Sequence, residues 1–150
     1  MRSLDIPKDS MGPFVGEAGE LRVASEILLR GINVSAPSID NGIDLIIVDT
    51  GKRIQVKTSR SEYSRTRGYS YPAYLFNVRK KKYVNSKNIT LRPKIDPNKI
   101  DFVICWAVDH DWFFIIPIKD VNQTTINIPI DPQKPSKYKQ YLEAWDLLKK

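Results

Sequence analysis

The chain has 150 residues, 41% of them hydrophobic, with 24 Lys and Arg against 17 Asp and Glu, which is enough to bury one core and too little for two ordinary domains. Its longest apolar runs, at positions 43–48 and 112–118, are broken by charged or proline positions well short of the ~18 residues of a membrane-spanning helix. The segment from Met1 to Pro7 lacks the apolar core of a signal peptide, and one cysteine makes no internal disulfide. The expectation is therefore a single soluble, intracellular domain over residues 1–150 with no membrane partner.

Residues 1–12 read as a polar lead-in. From Pro13 the pattern is helical: Phe14, Ala18, Leu21, Ala24 or Ser25, and Leu28 recur at three- and four-residue spacing, with Ile27 beside them and Gly31 as the stop. Ile32-Asn33-Val34 predicts an edge strand. Residues 42–48, a turn at Asp49-Thr50-Gly51-Lys52, and residues 53–58 predict a hairpin. Further strands are expected at 74–78, 102–108 and 112–116, the last two joined at Asp109-His110-Asp111. Tyr138, Tyr141, Leu142, Trp145 and Leu148 mark one face of a closing amphipathic helix with Ser136 as its N-cap. The fold class is α/β, with a mixed β-sheet flanked by helices.

The first hairpin carries the chemistry. With Thr50 and Gly51 as the turn, Val48 faces Arg53, Ile46 faces Gln55 and Asp44 faces Lys57. Alternation then puts Gln55 and Lys57 on the face of Asp44, with Ile54 and Val56 on the other. An odd-numbered loop would break this parity. A lone carboxylate or ammonium amid apolar neighbours loses several kcal/mol of solvation, roughly, unless it binds something. Asp44, the Gln55 amide oxygen and the Val56 carbonyl suit Mg²⁺, with Mn²⁺ as the alternative ion. Lys57 is left for catalysis. A plain cross-strand Asp44–Lys57 salt bridge would explain that pair without function, but not the apolar flanks Ile43, Leu45, Ile54 and Val56. On the first helix, Glu17 and Glu20 share one edge beside the small residues Gly16, Ala18 and Gly19, so either acid could complete a metal site; favourable placement in the first helical turn is the plainer account of Glu17.

Charge is polarised. Between Lys52 and Lys94 lie thirteen basic residues and one acid, Glu62. Arg60, Arg65, Arg67, Arg79, Lys80, Lys81 and Lys82 are interleaved or flanked by tyrosines, which is the composition of a phosphate-binding surface. A solvated basic face would give the same run; the metal-site pattern favours DNA.

Taken together, Gly16-Glu17-Ala18-Gly19-Glu20 on a helix, then Gly42-Ile43-Asp44, an apolar strand, and Gln55-Val56-Lys57-Thr58-Ser59 resemble the PD-(D/E)xK nuclease superfamily across residues 14–60. Glutamine in place of the second acid is similar to the small intron-encoded homing endonucleases of that fold. The Gly-x-x-x-Glu helix is also similar to junction resolvases and some restriction enzymes. The resemblance implies a restriction-endonuclease-like core, with Asp44 as metal-binding aspartate, Gln55 at the usual acid position, Lys57 as the lysine and Glu20 as the helix glutamate. It further implies Mg²⁺-assisted hydrolysis of double-stranded DNA. A Holliday junction resolvase, a restriction-type nuclease and an inert DNA-binding module are the alternatives. Cutting two strands implies a homodimer or homotetramer. Tyr138, Tyr141 and Trp145 could form its interface, although packing in their own core is the simpler reading. His110 is expected exposed in its turn, Cys105 buried, and Trp112, Phe113 and Phe114 in the core.

Overall fold

The computed structural model describes residues 11–39, 41–78, 82–84, 89–91 and 95–150. Helix α1 (Met11–Leu29) is followed by strands β1 (Val34–Ser35), β2 (Leu45–Ile47), β3 (Arg53–Ser59), β4 (Ser61–Thr66), β5 (Tyr69–Asn77), β6 (Lys82–Val84), β7 (Ile89–Leu91), β8 (Phe102–Ala107), β9 (Trp112–Pro117) and β10 (Thr125–Pro129). The main sheet is mixed, in the order β1-β2-β3-β8-β9, with β3 and β8 parallel and the other neighbours antiparallel. A second sheet runs β10-β5-β4, and β6 pairs with β7. This is the expected α/β architecture. No helix among the described residues is long and apolar enough to cross a membrane.

The apolar runs of β8 and β9 follow from burial on both faces. Phe102, Ile104, Trp106, Phe113 and Ile115 pack with Val23 and Ile27 of α1. Val103, Cys105, Phe114 and Ile116 pack with Tyr74, Phe76, Ile126 and Ile128 of the second sheet. Cys105 is buried, as expected, and burial pushes its thiol well above the ordinary range against the opposing charge of Lys57.

Three expectations are corrected. Helix α1 forms and ends at Gly31 (φ +76), whose N–H donates to the Leu28 carbonyl while Ile32 donates to Ile27. Its buried face, however, is Gly19, Val23 and Ile27; Phe14, Leu21 and Leu28 are 72, 65 and 55% exposed. Two apolar stripes of similar period run along this helix, and period alone does not say which one meets the sheet. The closing segment makes two short 3-10 turns, Lys137–Tyr141 and Trp145–Lys149, and no α-helix. Leu142 bridges to Phe114 of β9 and Glu143 takes φ +55, so pairing with the sheet interrupts the helical period. Ser136 still caps the first turn, its side chain accepting from Tyr138 N–H, and Tyr138, Trp145 and Leu148 are buried in the core. Finally, His110 is half-buried, stacked on Trp112 at 4.1 Å and 2.5 Å from the Tyr74 hydroxyl. The buried phenol requires a partner, and the turn supplies one.

Candidate active site

The connection between β2 and β3 is residues 48–52. Ile47 N–H donates to the Lys52 carbonyl and Gly51 N–H to the Ile47 carbonyl, both at 2.8 Å, with Gly51 at φ +70. The ladder pairs Leu45 with Ile54 and Ile46 with Arg53. That is a two-residue slip from the register expected, so Asp44 is not directly opposite Lys57. The slip follows from a turn that spans four residues between the hydrogen-bonded Ile47 and Lys52 and is closed by left-handed Gly51. Gln55 and Lys57 share one face of β3 by alternation whatever the register, and Asp44 sits just before β2. Ile54 and Val56 are buried toward α1. Gln55 and Lys57 pair with Val103 and Cys105 of β8, on the face that meets the second sheet.

Because β2 pairs with β3 only as far as Ile54, β3 continues past it with an edge that β2 does not cover. Asp44 closes the start of that edge. Its N–H donates to the Ile54 carbonyl (2.9 Å), and its carboxylate oxygen Oδ2 accepts from Val56 N–H (2.7 Å). A strand residue's N–H and C=O point to the same edge, so the Val56 carbonyl opens beside this carboxylate. Gln55 is 5% exposed, and its Oε1 is buried without a hydrogen-bond partner among the described residues. An orphaned buried acceptor costs about 1–3 kcal/mol. A carboxylate, a strand carbonyl and an unclaimed amide oxygen are hard oxygen donors of the kind that Mg²⁺ or Mn²⁺ takes. Among the described residues no three His, Cys, Asp or Glu side chains gather as a cation site, so Glu17, Glu20 and Asp44 do not form one acidic cluster.

Helix α1 meets β3 at Gly19, where a Cβ would lie 1.8 Å from Thr58 Oγ1. The small-residue contact expected of this helix thus falls on Gly19, whereas Gly16 has open space beside it. The contact brings the turn carrying half-buried Glu20 to the stretch of β3 that carries Lys57. Glu17 is exposed.

The basic residues divide. The Arg60 guanidinium pairs with Asp109 at 2.7 Å, and the same carboxylate accepts from Ser61 N–H at 2.7 Å. Desolvation opposes the ionisation of Asp109, but the bonds from Arg60 and Ser61 outweigh it and hold the carboxyl below its usual range. Arg65 is exposed on β4, and Arg67 (φ +51) is exposed in the turn it makes with Gly68 (φ +81). Arg79, Lys80 and Lys81 lie outside the described residues, and Lys82 is described only as the first residue of β6. Sequence reasoning missed the β4–β5 hairpin and the Asp109 clamp. The hairpin's signal was alternation of tyrosines with polar residues around Arg67-Gly68. The clamp has no local signal, because Arg60 and Asp109 lie far apart in the chain.

Among solved structures, the chain is similar to a bacterial homing endonuclease, I-Ssp6803I, with a TM-score of 0.74 and 23% identity, covering 92% of this chain and 93% of that one. At that identity the likeness is one of fold. No curated protein matches the sequence. The model of the PD-(D/E)XK endonuclease family matches residues 14–148, a span that takes in α1 from Phe14 onward, the β2–β3 hairpin and the second sheet, and the chain belongs to that family.

Proposed function

We propose that the protein is a Mg²⁺-dependent endonuclease that hydrolyses phosphodiester bonds in double-stranded DNA at a specific site, in the manner of a homing endonuclease. The observation that carries the reading is the buried Gln55 Oε1, without a hydrogen-bond partner among the described residues, one position before the Val56 N–H that Asp44 accepts from. Asp44, Gln55 and the Val56 carbonyl would hold the cation, with Mn²⁺ able to replace Mg²⁺, and Glu20 would approach from the helix side. When bound, the ion supplies Lewis-acid stabilisation of charge at the scissile phosphate. Lys57 places a cation on the same face as Gln55, where it stabilises charge building on the phosphate oxygens or holds the attacking water. Asp44, fixed by two backbone hydrogen bonds, keeps its carboxylate in place without reorganisation.

The test is incubation with supercoiled plasmid, linear duplex and a four-way junction in Mg²⁺, Mn²⁺ or EDTA. Metal-dependent cutting of duplex at few sites is expected, with Lys57→Ala and Asp44→Asn folded but inactive. Preferential cutting of the junction would make it a resolvase. Binding without cutting would make it an inert DNA-binding module that keeps the fold. Variants that cut normally would remove the site assignment.

A second copy is part of the proposal, since one site cuts one strand. Tyr138 and Trp145 are buried in the chain's own core, so the surface offered to the partner is the outer stripe of α1. Phe14, Leu21 and Leu28 recur there every seven residues, with exposed Leu29 beside them. A buried Phe alone contributes about 150–250 Å², so the four side chains supply much of the apolar centre of an interface of roughly 800 Å² per partner. A heptad stripe is self-complementary about a two-fold axis.

A further inference from the structure

Strand β3 passes into β4 through one residue, Arg60, and the alternation of side chains runs on across it. Gln55, Lys57 and Ser59 occupy one face of β3. On β4, Ser61 pairs with Tyr74, Tyr63 with Pro72 and Arg65 with Ser70, so all three share the face of Tyr74. That side chain is wholly buried with Val103 and Cys105, the β8 partners of Gln55 and Lys57. The inner side of the two sheets therefore continues from the candidate active site onto the hairpin, where it leaves the core: Tyr63 is 73% exposed, and Arg65, Ser70 and Pro72 are exposed too.

The opposite face of the hairpin is committed to the fold. Asn127 Nδ2 donates to Ser64 Oγ (3.1 Å) and to the Tyr71 hydroxyl (3.0 Å), and Lys134 lies over the Tyr71 ring at 4.5 Å. A two-stranded ribbon has the width the DNA major groove admits, and an arginine there reads guanine through O6 and N7. At ~3.3 Å per residue, Arg65 lies at most about 26 Å along the strand from Lys57, about eight base pairs or fewer from a phosphate held there.

We propose that Arg65, flanked by Tyr63, reads base edges in the major groove several base pairs from the cleaved bond, whereas Arg67 at the hairpin tip contacts the phosphate backbone without regard to sequence. The assignment rests on the reading of the protein as an endonuclease of duplex DNA. It predicts that sequence preference and affinity separate between two arginines two residues apart.

The experiment is selection from randomised duplexes by the full chain in EDTA, so that binding is read without cleavage, using wild type, Arg65→Ala and Arg67→Ala, with circular dichroism confirming the fold of each. The wild type should enrich a consensus. Arg65→Ala should lose its preference at one or two adjacent base pairs by roughly 10- to 100-fold while the rest of the consensus stands. Arg67→Ala should weaken all sequences alike and lower the salt slope by about one. An unchanged consensus for Arg65→Ala overturns the assignment while leaving the endonuclease reading in place, and wild-type binding without any consensus overturns the assignment together with the site specificity of the proposed endonuclease. A wild type that binds no duplex overturns both.

Discussion

Gln55 and Gly19 concentrate two different demands on single residues. Gln55 places a neutral oxygen where the family commonly carries an acid, so Gln55→Glu adds a buried charge to an already costly position. Without metal that charge lacks compensation and should lower the melting temperature; Mg²⁺ should raise it by more than it raises the wild type, because ligand binding to the native state is stabilisation. Thermal melts with Mg²⁺ and with EDTA decide it, and equal metal-induced shifts for both proteins would count against Gln55 as a ligand. Gly19 is a packing demand. With Thr58 Oγ1 1.8 Å from any Cβ, Gly19→Ala must push α1 off β3 and should cost about 1–3 kcal/mol. Thr58→Ala in the same chain should recover part of that loss, a coupling visible in urea denaturation. Purely additive losses would mean that the two residues do not press on each other.

Among the elements, what could be read from sequence was what local pattern controls. The β2–β3 hairpin was legible because the turn at Asp49-Thr50-Gly51-Lys52 separates the apolar run at 43–48 from a stretch in which Ile54 and Val56 alternate with Arg53, Gln55 and Lys57, and that alternation keeps Gln55 and Lys57 on one face even though the register slipped. The inward face of α1 was not legible, since Phe14, Leu21 and Leu28 repeat as regularly as Val23 and Ile27 and only tertiary contact chooses between them. Strand β4 was missed because Ser61–Thr66 carries no β-branched apolar residue, and β10 because Thr125–Pro129 offers only Ile126 and Ile128 in a short run ending in proline, the pairing of both being set by β5. If the outer stripe of α1 seats a second copy, Leu21→Glu should leave the stability of the subunit within about 0.5 kcal/mol and lower the mass seen by sedimentation. An unchanged mass would free that face of the role. The clamp between the β8–β9 turn and the start of β4 has a pH signature. Asp109 is held below its usual range in the folded chain, so its contribution is complete above about pH 4 and is lost as the pH falls through the folded-state value. Partial exposure of the pair limits the effect to on the order of 1 kcal/mol. Wild type should exceed Asp109→Asn by that amount at pH 7, and the gap should close in acid; a gap independent of pH would assign the residue a role that does not need its charge.

Across the whole molecule, the thirteen basic residues between Lys52 and Lys94 set a ceiling on phosphate contacts that the ion pairs lower. Arg53 is engaged by Asp101 at 3.0 Å and Arg60 by Asp109 at 2.7 Å, so neither is available to displace counterions without breaking a bond within the fold. Each phosphate neutralised contributes about 0.9 to the slope of log affinity against log salt, and the slope per subunit should therefore be no steeper than about −10. The same argument ranks variants. Arg60→Gln should leave the slope where it is, because the guanidinium it removes was already spoken for, whereas Arg67→Ala should make it shallower by about one. Titrations of a fixed duplex at salt concentrations spanning a decade would measure all three. A flat wild-type response would discharge the basic stretch from DNA binding, and a slope that falls with Arg60→Gln would mean that the Asp109 pair opens to the phosphate when DNA arrives.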